Sequence, residues 1–270
     1  MSRPRLAIVG TGIAGLSCGY FLRERFDLTF FEQADYPGGH TNTIDVTAHG
    51  EAVTFDTGFM VFNRVTYPNL CRFFAELAVP VKPTDMSFSV QHRPTGLEFS
   101  GSSLNHLFAQ RGNLVRPRFW NLLYQVNRFN EDAVAALHEA RWADATLGDY
   151  VAERGYGDDF LDLYLVPMSS AVWSTPPDRM REFPALTLLR FFHNHGFLGL
   201  HTQHPWWTVT GGAREYVRRL RPMLGGCLRL NSPVVRVQRP SQGGATVTTQ
   251  DGRTEHFDRV VLACHADQAL

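Results

Sequence analysis

The segment RLAIVGTGIAGLSCGYFLRERFDLTFFE, residues 5–32, decides the fold of this chain. Leu6–Val9 is a short apolar run of the kind that a strand buried on both faces requires. The sequence GTGIAG follows it directly, in the pattern G-x-G-x-x-G. Apolar and small residues between 13 and about 24 predict a helix that packs on the sheet, and residues 27–31 predict a second strand. The order of strand, glycine turn, helix and strand predicts a nucleotide-binding βαβ unit.

Each glycine of this motif has a separate physical task. Gly10 permits the tight turn, Gly12 lets the backbone approach a pyrophosphate, and Gly15 lets the helix pack closely on the strand. The free N–H groups at the start of the helix, at Ile13 and Ala14, then face the phosphates together with the positive end of the helix dipole. These residues predict a bound dinucleotide.

Glu32 closes the second predicted strand, where a carboxylate is expected to meet a ribose 2′-hydroxyl. Its position favours a cofactor with an unphosphorylated ribose, which argues against NADP. The competing interpretations of the segment are an export signal and a purely structural turn. The downstream spacing of Glu32 argues against both, and four glycines within residues 6–22 argue against a membrane span.

Composition limits the function classes. The chain has 270 residues, 44% of them hydrophobic and 19% charged, which is typical of a globular protein. The formal net charge is zero, so no overall field favours nucleic acid or an anionic membrane, and any partner must be argued from local features. The four cysteines are far apart and form no C-x-x-C pair, which predicts neither a zinc site nor disulfides and favours a cytoplasmic location.

A second glycine pair follows the βαβ unit in the stretch QADYPGGHT, residues 33–41. A glutamate, five residues and Gly-Gly extend the first motif. With this extension the chain resembles the glutathione-reductase-like flavoproteins, and more closely the flavin amine oxidase and phytoene desaturase superfamily. That resemblance implies FAD as the cofactor, with further contacts from Gln33, Gly38, Gly39, His40 and Thr41.

Three later stretches resemble the same superfamily in the same order. VTFDTGFMVFN, residues 53–63, resembles the strand and D-x-G turn that would place Gly58, Phe59 and Met60 beside the flavin ring. WWTVTGGAREYVRRL, residues 206–220, resembles its strand, Gly-Gly turn and helix near the substrate side. The stretch that begins LRLNSPVV at residue 228 resembles the part in which Val234 contacts adenine through its backbone.

One residue departs from the superfamily pattern. Many relatives have arginine after the second glycine pair, where this chain has His40. Arginine is always charged and has a fork of donors, whereas histidine titrates near neutrality. We therefore expect His40 to contact the ribityl or phosphate region differently, with a solvent-facing histidine as the alternative.

The predicted fold is α/β, with a Rossmann-like FAD-binding domain and an inserted, mainly helical α+β substrate domain. The FAD-binding domain is predicted at 1–62 and 205–270, and the substrate or cap domain at 63–204. Within the insertion, residues 84–100 have the alternation of a β-hairpin, residues 119–140 have helical periodicity, and a further helix is expected between Thr146 as N-cap and Gly155 as stop. By the same resemblance, the chain is expected to be the amino-terminal portion of a longer protein. It is then expected to supply only part of the flavin site.

The sequence assigns no catalytic residue. The resemblance implies a lysine near the flavin in a part beyond this chain, and Lys82, the only lysine, lies in a different context. The stretch RFFHNHGFLGLHTQHPWWTV, residues 190–209, has four histidines but no cysteine or carboxylate, so no metal site is predicted. The alternatives for this stretch are ordinary packing and a substrate pocket that includes Asn194, His195 and Trp207.

Three functions follow from the resemblance. The first is an FAD-dependent oxidoreductase that transfers hydride from an amine or lipid-like substrate to flavin N5. The second is a flavin-dependent isomerase or mutase, and the third is a non-catalytic FAD-binding fragment. The predicted partner is a small-molecule or lipid-like substrate, with no nucleic acid and no transmembrane segment. The sequence leaves the substrate, the electron acceptor and the oligomeric state open.

Overall fold

The structure, a computed structural model, describes residues 2–199 and 202–269. The chain divides into two compact units. The first comprises Met1–Thr84 together with Trp206–Leu270, and the second comprises Asp85–Pro205. The structure therefore places residues 63–84 in the first unit, whereas the sequence prediction assigned them to the insertion.

The elements follow in chain order. To residue 84 they are β1 (Arg5–Val9), α1 (Ile13–Leu22), β2 (Asp27–Phe31), β3 (Thr43–Ala48), β4 (Glu51–Asp56), β5 (Phe62–Asn63), α2 (Pro68–Glu76) and β6 (Val81–Thr84). The second unit has β7 (Ser89–His92), β8 (Leu97–Ser100), α3 (Leu104–Leu107), α4 (Pro117–Ala136), α5 (Leu147–Arg154), α6 (Asp158–Phe160), α7 (Val166–Trp173) and α8 (Ala185–Asn194). The first unit resumes with β9 (Trp206–Val209), α9 (Arg214–Leu224), β10 (Leu228–Arg229), β11 (Val234–Gln238), β12 (Ala245–Thr249), β13 (Thr254–Phe257), β14 (Arg259–Leu262) and α10 (Ala266–Ala269).

A parallel sheet of four strands, in the order β10-β2-β1-β14, forms the centre of the first unit. Successive side chains of a strand point to opposite faces. Accordingly, Leu6 and Ile8 of β1 join one hydrophobic cluster, whereas Ala7 joins another. Both faces of β1 are thus buried, as the apolar run predicts, and the α/β class is confirmed.

Different layers cover the two faces of this sheet. On one face, Leu16 of α1 and Tyr216 and Leu220 of α9 belong to the same cluster as Ile8. On the other face, Val247 and Phe257 of the antiparallel sheet β11-β12-β13 pack with Ala7. The central strands are therefore covered on both faces, and because they are parallel their carboxyl ends lie at one edge.

A smaller sheet explains why residues 63–84 pack with the first unit. Strand β9 lies between β5 and β6, with antiparallel pairing to both. Lys82 of β6 pairs with Thr208, and Asn63 of β5 pairs with Trp206. Because this pairing joins segments that are far apart in the sequence, local patterns do not reveal it.

The second unit consists of helices with one hairpin, β7-β8. Aromatic side chains pack at its centre, where the ring of Phe129 lies 5.3 Å from that of Phe160 and 6.4 Å from that of Phe192. Helix α5 begins with a capping box at Thr146 and ends at Gly155 in the left-handed conformation, which confirms both predicted helix signals. Within the described residues, no helix is both long enough and apolar enough to cross a membrane.

Candidate dinucleotide site

The site lies at the carboxyl end of β1. The N–H of Gly10 donates to the Phe31 carbonyl at 2.8 Å, which joins the glycine turn to the end of β2. Gly10 has a φ of +98°, and a Cβ atom placed there would lie 2.7 Å from the Ala263 carbonyl oxygen. Only glycine combines this backbone angle with so close an approach to the end of β14.

The other two glycines of the motif have opposite surroundings. A Cβ on Gly15 would lie 2.0 Å from the Gly10 carbonyl oxygen, so this position is closed by the protein itself. A Cβ on Gly12 would meet nothing within 4 Å, and the φ of Gly12 is −65°. Gly15 therefore serves packing, whereas Gly12 faces open space at the N-cap of α1.

The first turn of α1 offers backbone donors beside that space. Leu16 N donates to the Gly12 carbonyl, so the N–H groups of Ile13 and Ala14 have no acceptor within the helix. No acidic side chain lies in this turn to compete for them. Free amides and the positive end of the helix dipole form a site that suits an anionic group.

Glu32 lies next to the glycine turn. One carboxylate oxygen accepts from Thr11 N at 3.0 Å and from the Thr11 hydroxyl at 2.5 Å. The other oxygen accepts from Ala34 N at 3.0 Å. A carboxylate has about four acceptor sites, so these three bonds orient Glu32 and still leave capacity for a hydroxyl of a ligand.

The loop with the second glycine pair packs on this turn. Gly38 N donates to the Thr11 carbonyl at 3.0 Å, and a Cβ on Gly39 would lie 2.9 Å from the Gly12 Cα. The loop is also fixed to α9, because the hydroxyls of Thr41 and Tyr216 are 2.5 Å apart. Burial raises the pKa of Tyr216, which keeps this phenol protonated.

A hydrogen-bond network outside the groove holds α9 in place. Both carboxylate oxygens of Asp56 accept from Ala213 N, at 3.0 and 2.9 Å, and cap the start of that helix. The Arg214 guanidinium forms two hydrogen bonds with Asp45 and lowers the pKa of that carboxyl to about 2. The aspartate of the predicted D-x-G turn therefore anchors a helix.

These elements surround one groove in the first unit with a volume of about 1760 Å³. That volume exceeds the roughly 300–1,000 Å³ of a typical small-molecule pocket and suits an extended dinucleotide. Among the predicted cofactor residues, those that line it are Gly10, Gly12, Ile13, Ala14, Glu32, Gln33, Gly38, Gly39, His40, Thr41, Phe59 and Val234.

Three predicted cofactor residues lie outside that lining. Gly15 is enclosed as described above. A Cβ on Gly58 would lie 1.9 Å from the His40 carbonyl oxygen, so Gly58 permits two loops to touch. Met60 is 55% exposed, and its carbonyl accepts from the Thr208 hydroxyl at 2.8 Å.

Thr11, His265 and the residues around Ala263 belong to the groove but were not among the predicted cofactor residues. All of them line it, and the ring of His265 lies 5.4 Å from that of His40. The position of β14 beside β1 brings Ala263 and His265 there. Only a general rule could have indicated these residues from the sequence. Ligands bind outside the carboxyl ends of parallel strands, and Ala263 and His265 follow the end of β14 at Leu262.

The three substrate-pocket candidates do not line the groove. Trp207 lies in β9, with the guanidinium of Arg64 3.8 Å from its ring. Asn194 ends α8 in the second unit, where its carbonyl lies 3.3 Å from His204 Nε2. Next to it, His195 stacks on Phe191 at 3.9 Å.

His195 has the surroundings of a packed core residue. Only 7% of it is exposed, and its Nδ1 lies 3.0 Å from the Phe191 carbonyl oxygen. Burial lowers the pKa of its imidazole, which favours the neutral form. These contacts favour the packing interpretation, and the substrate-pocket role stays a prediction. His201, in the same histidine-rich stretch, lies outside the described residues.

A family model described as flavin containing amine oxidoreductase matches residues 13–270. A search of curated proteins gives no match.

Among solved structures, putrescine oxidase bound to putrescine is 17% identical, with a TM-score of 0.68 over 97% of this chain and 58% of that protein. Cyclohexylamine oxidase from Brevibacterium oxydans is also 17% identical, with a TM-score of 0.71 over 97% of this chain and 58% of that one. A fatty acid isomerase from P. acnes that produces CLA is 16% identical, with a TM-score of 0.63 over 98% and 62%. This chain therefore shares their fold and spans about three-fifths of their length.

Proposed function

The chain belongs to the flavin-containing amine oxidoreductase family, and from that premise we propose that it oxidises an amine or lipid-like substrate by removal of hydride. The cofactor of this family is FAD, which supplies the hydride acceptor at its N5 atom when it is bound. The observation that carries the proposal is the placement of the Glu32 carboxylate beside the glycine turn and the free amides of α1.

The residues of the groove suit the chemical groups of FAD. In this proposal the N–H groups of Ile13 and Ala14 bind the diphosphate, and the open space at Gly12 admits it. Glu32 accepts a hydrogen bond from a ribose hydroxyl, and the backbone of Val234 contacts the adenine. These assignments are supported by the lining of one groove by all of these residues.

In this proposal the loop of residues 38–41 holds the middle of the cofactor. His40 supplies ring nitrogens in place of the arginine of many relatives, and His265 stands 5.4 Å away from it. Because the Thr41 hydroxyl is held by Tyr216, the loop is fixed before the ligand arrives. We propose that His40 contacts the ribityl or phosphate region from this fixed loop.

The carboxylate of Glu32 gives a direct test of cofactor binding. Glu32→Gln keeps the size of the side chain but removes its charge and replaces one acceptor by a donor. We expect the dissociation constant for FAD, measured by titration of flavin fluorescence, to rise roughly tenfold to 100-fold. The control Glu51→Gln, at an exposed strand position away from the groove, should bind like the wild type. Equal affinity for both variants would contradict the proposed role of Glu32.

The oxidase proposal is tested by anaerobic mixing of the FAD-loaded chain with candidate substrates. An amine or an unsaturated lipid that is a substrate should bleach the absorption band of oxidised flavin, and air should restore it. If neither class bleaches a stoichiometrically loaded protein, the oxidase proposal for this chain fails, and a non-catalytic FAD-binding role becomes the better description. Cofactor loading is measured separately, so that failure to bind and failure to react are distinguished.

A second candidate function is an isomerase of lipid-like substrates, favoured by the fold similarity to the fatty acid isomerase. The two functions differ in their electron balance. An isomerase should convert its substrate to product without net reduction of the flavin and without consumption of an oxidant. Product formation without oxygen consumption would therefore select this candidate, and stoichiometric peroxide formation would select the oxidase.

A further inference from the structure

A group of exposed apolar side chains lies on the second unit, around the start of α4. Exposed large apolar residues are informative when they are contiguous. The members, with the exposed fraction of each, are Leu104 (77%), Leu114 (49%), Val115 (83%), Trp120 (50%) and Tyr124 (66%). We call this group the interfacial patch.

Hydrogen bonds and a ring contact link the segments that carry the interfacial patch. The ring of Phe108 lies 5.4 Å from that of Trp120, and Phe108 N donates to the Leu104 carbonyl, so α3 abuts the start of α4. The indole N–H of Trp120 donates to the Leu114 carbonyl at 2.9 Å. Tyr124 follows Trp120 by one helical turn on the same face of α4.

The indole hydrogen bond matters for what this surface can bind. A buried indole N–H requires a partner. Trp120 has its partner within the protein, so its exposed ring can enter an apolar medium without loss of a hydrogen bond. Tyrosine and tryptophan suit a boundary at which one end of the side chain is apolar and the other is wet.

The charges around the patch include two arginines that have no acidic partner among the described residues. Residues 99–130 contain four arginines and no aspartate or glutamate. Arg118 is paired with Asp159 at 2.5 Å, and Arg128 is paired with Asp132 at 3.3 Å. Arg111 donates to the Asn105 side-chain oxygen and Arg116 to that of Asn113, both uncharged acceptors. In the described part of the chain neither of these two forms an ion pair, so both charges are available to an anionic surface.

We propose that the interfacial patch binds the surface of an anionic lipid bilayer. The apolar side chains enter the boundary between head groups and acyl chains, while Arg111 and Arg116 meet the lipid phosphates. The combination of exposed aromatic and aliphatic side chains with uncompensated arginines is complementary to this surface. This mode of binding requires no membrane-crossing helix and is independent of the proposed catalytic function.

Sedimentation with lipid vesicles tests the proposal. We expect the FAD-loaded chain to bind vesicles of phosphatidylcholine with a minority of phosphatidylglycerol at least about tenfold more strongly than vesicles of phosphatidylcholine alone. Added salt should weaken this preference, since it screens exposed charges. Absence of binding to the anionic vesicles, or equal binding to both compositions, would overturn the proposal.

Variants locate the binding surface. The triple variant Leu104→Ser, Val115→Ser, Tyr124→Ser alters the most exposed side chains and should lose roughly tenfold or more in vesicle affinity. Its matched control is the double variant Val65→Ser, Val172→Ser, which alters apolar side chains that are also exposed, at 62% and 38%, outside the patch. Circular dichroism verifies that both variants are folded. Equal losses in the two variants would contradict the assignment of the surface.

Two further measurements test the role of the arginines and the alternative of self-association. Arg111→Gln with Arg116→Gln should remove most of the preference for anionic vesicles, and retention of the full preference would count against the proposal. If light scattering shows that the patch instead drives concentration-dependent dimers that ignore vesicles, the surface serves a second copy of the chain and the lipid proposal is wrong.

Discussion

Replacement of Gly12 by valine should weaken FAD binding strongly while the apoprotein stays folded. A Cβ at this position meets no protein atom within 4 Å, and the backbone angle of −65° is one that valine adopts. The added side chain instead fills the space beside the free amides of α1, where the diphosphate is proposed to lie. We expect the dissociation constant for FAD to rise roughly 100-fold, equivalent to about 3 kcal/mol.

The measurement combines flavin fluorescence titration with thermal unfolding of the FAD-free protein. The unfolding midpoint of Gly12→Val should stay close to that of the wild type. Gly226→Val is the matched control, because a Cβ there also meets nothing within 4 Å and the residue lies outside the groove lining. This control should change neither quantity. A Gly12→Val protein that binds FAD like the wild type would show that the diphosphate does not occupy this groove as proposed.

The sequence predicted best where the interactions are local. Strand β2 begins and ends at the predicted residues, 27 and 31, with Asp27 before its apolar residues and Glu32 after them. The capping box at Thr146 and the left-handed Gly155 are likewise properties of a few consecutive residues. The same holds for the glycine turn itself, whose donors and open space follow from backbone geometry.

Pairing between distant segments was not predictable in the same way. Strand β6 joins the first unit through Lys82 and Thr208, and no local pattern marks that partnership. The hydrogen bonds of Thr11 to Glu32 and the proximity of His265 to His40 also depend on which strand lies next to β1. A motif gives the residue types of a site, whereas the sheet order decides which other residues join them.

Replacement of Gly15 by valine should have the opposite result to that of Gly12, with a large loss of stability in the FAD-free protein. A Cβ on Gly15 would lie 2.0 Å from the Gly10 carbonyl oxygen and 3.3 Å from the Ala263 Cβ. The first of these is a backbone atom of the tight turn, so the clash is relieved only if α1 moves away from β1 and β14. We expect the free energy of unfolding to fall by about 3 kcal/mol or more and the unfolding midpoint by roughly 6–12 °C.

Urea and thermal unfolding of the FAD-free protein measure this loss without any contribution from the ligand. Ala14→Val is the control, since Ala14 is exposed in the same helical turn and reports the intrinsic cost of valine in a helix, which is below about 1 kcal/mol. If Gly15→Val is no less stable than Ala14→Val, then α1 is not packed on β1 as described. Gly12→Val and Gly15→Val thus separate the glycine that admits the cofactor from the glycine that holds helix and sheet together, although both glycines belong to one six-residue motif.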